Sequence, residues 1–85
     1  MKFRLVYTQR AVKDITRLDL QSRERIKEAL ERYSESPANY SKKMVDPALG
    51  TYRFRIGDYR VIFDLEGNDI VVLRVGHRRD IYRRY

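Results

Sequence analysis

One stretch of the sequence, residues 51–63, constrains the fold most, because large apolar and basic residues alternate on both sides of Gly57-Asp58. Strict alternation is typical of β-strands, and a two-residue loop that begins with glycine suits a type II′ turn. The stretch therefore predicts a hairpin closed by these two residues. In the predicted register the facing pairs are Ile56 and Tyr59, Arg55 and Arg60, Phe54 and Val61, and Arg53 and Ile62.

The two faces of this hairpin differ in chemistry. Like charges opposite one another in a sheet cost roughly 0.2–1 kcal/mol, so folding alone does not favour Arg55 opposite Arg60. An anionic ligand on that face would explain the pair, and we expect Arg60→Ala to be neutral or slightly stabilising. The basic face carries Arg53, Arg55 and Arg60, and the apolar face, which would pack on a core, carries Tyr52, Phe54, Ile56, Tyr59, Val61 and Phe63.

The charge balance indicates an anionic partner. The 85 residues include 19 Lys+Arg against 12 Asp+Glu, a net charge of +7, which points to nucleic acid or to an acidic protein. Apart from His77, every basic residue from Arg53 onward is arginine, whose guanidinium group binds phosphate with two hydrogen bonds. These arginines are Arg53, Arg55, Arg60, Arg74, Arg78, Arg79, Arg83 and Arg84.

Length and composition also limit the kind of site. The sequence contains no cysteine, which excludes disulfides and thiolate metal sites, and a lone histidine cannot hold a metal. A chain of this size leaves little room for a buried cofactor. We therefore expect a single cytoplasmic domain over residues 1–85, with no metal, no small-molecule cofactor and no membrane segment.

Two helices precede the hairpin in the prediction. Alternation over residues 2–7 indicates a first strand. Apolar residues then recur at helical spacing from Gln9 to Leu18, with Thr8 as the N-cap, and again from Leu20 to Ser34, with Asp19 as the N-cap. Residues 37–50 show no clear period and are predicted to be irregular.

The last strand is predicted over residues 70–75, ending at Gly76. The order β-α-α-β-β-β predicts an α+β fold with a two-helix hairpin on one face of a four-stranded, mainly antiparallel sheet, which leaves the arginine face free. If the last strand pairs with the strand of Arg60, its C-terminal end lies beside the open end or the middle of the hairpin. Residues 77–82 can then fold over the arginines.

The hairpin and the C-terminal segment together resemble a known family. Residues 52–63, followed by Val75-Gly76-His77-Arg78-Arg79-Asp80-Ile81-Tyr82-Arg83, closely resemble the RelE branch of the RelE/ParE toxin superfamily, and the likeness covers nearly the whole chain. The resemblance implies a toxin, paired with a cognate antitoxin, that cleaves mRNA in the ribosomal A site. It implies catalytic roles for Arg53, Arg55, Arg60, Arg78 and Tyr82. For the remaining arginines of this half of the chain, Arg74, Arg79, Arg83 and Arg84, we predict RNA-binding roles.

The sequence does not identify which side chain acts as the base and which as the acid in the implied reaction. Some relatives carry lysine at the first two arginine positions, so no lysine base is expected here. Neighbouring arginines would lower the pKa of the Tyr82 phenol by favouring phenolate. His77 stays a possible acid or base, because histidine titrates near neutral pH, although it could equally be a capping or solvated side chain.

Two other functions fit parts of the sequence. The gyrase-targeting branch of the superfamily keeps the fold and inhibits by binding, and a plain nucleic-acid-binding module would leave its ligand uncut. A pure binder has no need for a tyrosine beside an arginine cluster. Tyr82 and the arginine face therefore favour the ribosome-dependent nuclease, whose partners would be the ribosome, mRNA and the antitoxin.

Overall fold

A computed structural model describes residues 2–45 and 50–81 and confirms the predicted α+β fold class. The predicted roles of Tyr82, Arg83 and Arg84 fall outside the described residues. None of the helices in the described ranges is long and apolar enough to span a membrane. In chain order the elements are β1 (Arg4–Tyr7), α1 (Gln9–Thr16), α2 (Leu20–Tyr33), α3 (Pro37–Tyr40), β2 (Ser41–Lys43), β3 (Tyr52–Ile56), β4 (Tyr59–Glu66) and β5 (Asp69–His77).

Both predicted helix caps are confirmed. The Thr8 hydroxyl accepts a hydrogen bond from the Ala11 amide at 3.1 Å, which starts α1. The Asp19 carboxylate starts α2 by accepting from the Ser22 hydroxyl at 2.7 Å and from the Ser22 amide at 3.1 Å. These two bonds favour the ionised form and so lower the pKa of Asp19. The helix α1 ends two residues earlier than predicted, and α2 ends one residue earlier.

The sheet has five strands in the order β1-β5-β4-β3-β2, one more than predicted. The parallel pair is β1 with β5, and the other three pairs are antiparallel. The additional strand, β2, lies in the segment predicted to be irregular. Its three residues are too few to show a period, and they become a strand through pairing with β3, where Lys42 lies opposite Arg53.

The hairpin register is confirmed, with Arg55 opposite Arg60. Gly57 has φ +58°, while Asp58 keeps a negative φ, the combination that a type II′ turn requires. The predicted position of the last strand was wrong, however. Since β5 runs antiparallel to β4 and extends through His77, its C-terminal end lies beside the closed end of the hairpin.

The main core lies between the sheet and the helices. The aromatic rings of Phe54 and Phe63, on neighbouring strands, stack with their centroids 4.2 Å apart. Apolar side chains of α1 and α2 cover this stack. The fully or nearly fully buried members of the core are Ala11, Ile26, Ala29, Leu30, Phe54, Ile56, Val61, Phe63, Ile70, Val72 and Val75.

A second, smaller cluster covers part of the arginine face. Ile62 and Ile81 are buried there, with Met44 and Leu73 packed against them. A tight turn after β5, in which the amides of Asp80 and Ile81 donate to the His77 carbonyl, returns Ile81 to the sheet. The helices leave the arginine face free, as predicted, and the segment after β5 folds onto part of it, because the apolar Ile62 on that face requires cover.

We expect Ile81→Ala to lower the free energy of unfolding by about 2–4 kcal/mol, because it empties the centre of this small cluster. Urea denaturation measures the change. Val45→Ala is the control: Val45 is 99% exposed, and its truncation should shift stability by less than about 0.5 kcal/mol. Equal effects of the two substitutions would show that Ile81 does not hold the C-terminal segment on the sheet.

Candidate active site

Five basic side chains and a tyrosine line one open cleft of about 240 Å³ on the sheet face away from α1 and α2. Four of the five are arginines that the sequence predicts to be catalytic. The structure therefore brings together most of the predicted site. The lining residues are Tyr40, Lys42, Arg53, Arg55, Arg60 and Arg78.

Strand alternation and one loop contact position the arginines. Arg53 and Arg55 project from β3 on the face opposite Phe54, and Arg60 lies directly across from Arg55 on β4. Arg78 comes from the turn after β5, where its backbone amide donates to the Asp58 carbonyl at 2.7 Å. Its guanidinium also lies 3.6 Å from the Asp58 carboxylate, an exposed pair that contributes little stability. The hairpin turn thus places Arg78 at the cleft.

Arg60 differs from the other arginines because it is only 9% exposed. Its terminal Nη1 donates to the Gly57 carbonyl at 2.9 Å and to the Tyr59 carbonyl at 2.8 Å. These bonds hold the guanidinium in one orientation. A cation fixed before the ligand arrives stabilises developing negative charge without reorganising, which is the main electrostatic contribution to many enzymes.

Lys42 and Tyr40 line the cleft but were missed by the sequence analysis. Both belong to the segment predicted to be irregular, and pairing of β2 with β3 brings Lys42 beside Arg53. Tyr40 is held by its ring, which stacks on Tyr33 with centroids 4.4 Å apart. The expectation that the site has no lysine was therefore wrong. The adjacent lysines in Ser41-Lys42-Lys43 were the available signal, but no local pattern assigns them to the sheet.

His77 lies away from the cleft. It lines a different depression, beside Asp14 and Tyr59, and its ring meets the Tyr59 ring edge-on with centroids 5.7 Å apart. The His77 Nδ1 accepts a hydrogen bond from the Arg79 amide at 3.1 Å. Of the two roles left open by the sequence, the described geometry matches the capping histidine.

Arg74 and Arg79 also lie outside the cleft lining. The Arg74 guanidinium forms a two-pronged ion pair with Asp14 on α1, at 2.7 Å and 3.3 Å. Both partners are largely buried, with 18% and 11% of their side chains exposed. Arg79 is exposed in the turn that follows Arg78. Arg74 therefore joins α1 to β5.

The cleft suits a phosphate group better than a metal. Within residues 2–45 and 50–81, no three histidine or carboxylate side chains are grouped so that they could hold a metal ion. Guanidinium groups bind phosphate oxygens with paired hydrogen bonds, and several lie around one small volume here. Lys42 and Tyr40 add groups that exchange protons.

The buried position of Arg60 reverses the stability expected for its substitution. We predict that Arg60→Ala lowers the free energy of unfolding by about 1–3 kcal/mol, because two carbonyls at the turn lose their charged donor. Arg55→Ala, its exposed cross-strand neighbour, should be neutral or slightly stabilising because repulsion is relieved. Urea denaturation of both variants provides the comparison. A stabilised Arg60→Ala variant would contradict the structural role of these hydrogen bonds.

Comparison with known proteins identifies the family of this chain. The family model for the ParE toxin of the type II toxin–antitoxin system parDE matches residues 5–82. Toxin RelG of Mycobacterium tuberculosis is 42% identical over 53 residues, a match that covers 60% of this chain and 61% of RelG. Toxin RelE3 of Methanocaldococcus jannaschii is 29% identical over 83 residues, covering 93% of this chain and 94% of RelE3.

Solved structures show the same architecture. The RelBE2 toxin–antitoxin complex of Mycobacterium tuberculosis contains a chain with a TM-score of 0.82 and 26% identity, covering 92% of this chain and 100% of that one. A mutant of the E. coli toxin RelE in its free state gives a TM-score of 0.70 at 26% identity, covering 98% of this chain and 93% of that one. The chain therefore belongs to the ParE-toxin family of type II toxin–antitoxin systems, within the RelE/ParE toxin superfamily.

Proposed function

We propose that this toxin is a ribosome-dependent endoribonuclease that cleaves mRNA in the ribosomal A site. The observation that carries the proposal is the convergence of Arg53, Arg55, Arg60, Arg78 and Lys42 on one small cleft. Several cations around one small volume give it a positive potential that attracts an anion. The RelE names of the relatives support the nuclease branch of the superfamily.

The proposed reaction uses groups of the toxin and of the message that the ribosome presents to it. A base removes the proton of the ribose 2′-hydroxyl, the 2′-oxygen forms a bond to phosphorus, and the bond to the 5′-oxygen breaks. An acid then protonates the 5′-oxygen. The non-bridging oxygens gain charge as the new bond forms, and the fixed guanidinium of Arg60 is suited to stabilise it. Arg55 lies opposite Arg60 and is exposed, so its side chain can change conformation and keep contact with the phosphate as the RNA enters the cleft.

Four side chains are candidates for the proton transfers. Tyr82 is implied by the family resemblance. It follows Ile81 in the sequence, and Ile81 is buried on the sheet face that carries the cleft. Lys42 and Tyr40 line the cleft itself. His77 is a weaker candidate than at the level of sequence, because its ring lies in the depression beside Tyr59. We assign the main proton-transfer role to Tyr82, and Lys42 is the second candidate for that role.

The test is single-turnover cleavage of a translated message, read by primer extension, with chelator present and with or without ribosomes. We predict that Tyr82→Phe lowers the cleavage rate about 10²–10⁴-fold, because it removes a positioned proton-transfer group and keeps the ring. Lys42→Met should lower the rate less than Tyr82→Phe does, because it removes one cation of the cleft but not the main proton-transfer group. Tyr40→Phe should stay within a few-fold of the original chain. Exposed Lys27 on α2 offers a control, Lys27→Met, which should cleave normally.

Each other outcome has a defined meaning. Normal cleavage by Tyr82→Phe together with a slow Lys42→Met variant would move the proton transfer to the lysine. Intact message at every ribosome concentration would contradict the nuclease proposal. In that case inhibition of DNA supercoiling by gyrase is the next assay, since the matching family model describes ParE toxins.

We also propose that a cognate antitoxin neutralises this protein. Several structural neighbours are toxins in complex with RelB antitoxins, including one from Pyrococcus horikoshii and one from E. coli. A net charge of +7 favours a partner with acidic segments. A small reading frame adjacent to the toxin gene is the place to look for it.

We predict that the purified product of that reading frame abolishes cleavage at one equivalent per toxin and restores growth when the two are expressed together. Cleavage titration and plating efficiency measure these effects. An unrelated acidic protein of similar size serves as the control and should protect neither. Unimpaired growth of hosts that express the toxin alone would contradict the need for an antitoxin.

A further inference from the structure

A second cationic surface lies on α1, outside the cleft. Here a trough of about 710 Å³ runs beside the helix. Arg10, Lys13 and Arg17 line it at spacings of three and four residues, so they form one stripe along the helix. All three are exposed, and within residues 2–45 and 50–81 none of their guanidinium or ammonium groups forms an ion pair.

The one acidic side chain in this stripe is already used by the fold. Asp14 is the only carboxylate between Thr8 and Leu18. Its Oδ2 accepts from the Arg74 Nε at 2.7 Å and from the backbone amide of Val75 at 3.0 Å. Asp14 thus neutralises Arg74 and seals the edge of β5 beyond the end of β1. Its charge is not available to balance the outward-facing stripe.

The other long helix shows what a balanced surface looks like. The helix α2 carries four cations and three carboxylates at mixed spacings of three and four residues, so positive and negative charges nearly balance on its surface. The stripe on α1 has no such balance. A solvated helix face therefore accounts for the charges of α2 but leaves the α1 stripe unexplained.

The lining of the trough favours RNA over protein. Besides the cations it presents Gln9, a side chain that commonly contacts phosphate and sugar. Protein interfaces centre on buried apolar anchors, and the apolar side chains Val12 and Ile15 line a separate groove between α1 and α2. The stripe is about 10 Å long at ~1.5 Å per residue. About three phosphates of one nucleic-acid strand occupy that length, at ~3.4 Å each.

The trough also continues toward the C-terminal turn. Asp14, Arg17 and Arg74 line both the trough and the neighbouring depression, which extends to His77 and Ile81. A continuous depression therefore runs from α1 along β5 to the turn that carries Arg78, and its lining is mainly apolar beyond Arg74. An RNA held on α1 and an RNA in the cleft would approach the same end of the molecule.

We propose that Arg10, Lys13 and Arg17 form a second binding surface, which grips the phosphate backbone of structured RNA while the cleft acts on the message. The choice of RNA rests on the proposed function, but binding at α1 requires neither cleavage nor Tyr82. The surface is a docking site with no sequence preference, since guanidinium and ammonium contacts to phosphate carry none.

The experiment uses the full chain and a fluorescein-labelled 20-base-pair RNA duplex, with anisotropy recorded over a range of salt concentrations. One variant combines Arg10→Gln, Lys13→Gln and Arg17→Gln. The matched control combines Arg25→Gln, Lys27→Gln and Arg32→Gln, the same residue types and charge change on exposed positions of α2. Thermal melts confirm that both variants are folded, and the single substitutions replace any triple variant that is not.

We expect the α1 variant to lose about 2–3 from the slope of log affinity against log salt, because each phosphate contact contributes about 0.9. The α2 variant should lose less than 1. Equal losses would overturn the proposal, because net charge alone would then explain binding. A full slope in the α1 variant, with lost binding to a poly-glutamate peptide, would overturn it in favour of an acidic protein partner.

The outcome does not depend on the nuclease proposal. Because the duplex assay contains no ribosome and measures no cleavage, a chain that fails to cut mRNA can still show the α1 effect. Conversely, a chain that cuts mRNA normally but whose α1 variant binds RNA with an unchanged slope would refute the second surface alone.

Discussion

The stack of Phe54 on Phe63 is the contact on which the site depends. These rings lie on the core face of neighbouring strands, 4.2 Å apart, and α1 and α2 cover them. A slip of one residue in either strand would turn an aromatic ring out and an arginine in, at a cost of several buried contacts. The apolar face therefore sets the register, and the register places Arg55 opposite Arg60. The core thus imposes a like-charge pair that folding would otherwise avoid.

Hydrogen bonds at the hairpin turn reduce the electrostatic repulsion between Arg55 and Arg60. Arg60 donates to two carbonyls of the hairpin end, so part of its charge meets backbone dipoles instead of the Arg55 guanidinium. Arg55 stays exposed, where water screens the repulsion. One member of the pair is held by hydrogen bonds and the other is exposed, which in the proposed reaction would suit the capture and the stabilisation of a phosphate group.

Some cations of this protein form ion pairs that join elements of the fold, and others lie exposed on its surface. Their charge alone does not distinguish the two groups. Arg74 shares a carboxylate with a backbone amide and attaches α1 to the edge of β5, and Arg4 pairs with Asp69 across the parallel strands. Arg55 and Arg78 in the cleft and the three cations of the α1 stripe are exposed, whereas Arg60 is buried. The sum of +7 therefore overstates the charge available to an anionic ligand, and the distribution of the exposed charges decides where such a ligand can bind.

The sequence by itself determined what depends on near neighbours. The hairpin register, its glycine turn and the caps Thr8 and Asp19 all follow from residues within a few positions of one another. Tertiary structure decided the rest, because those contacts join distant parts of the chain. Lys42 lines the cleft only because a three-residue strand pairs with β3. Arg74 lies outside the cleft because its guanidinium pairs with Asp14, which is sixty residues earlier in the chain. The burial of Arg60 and the packing of Ile81 on Ile62 also depend on tertiary contacts. Local sequence periodicity does not specify which distant residue will pack against a given side chain.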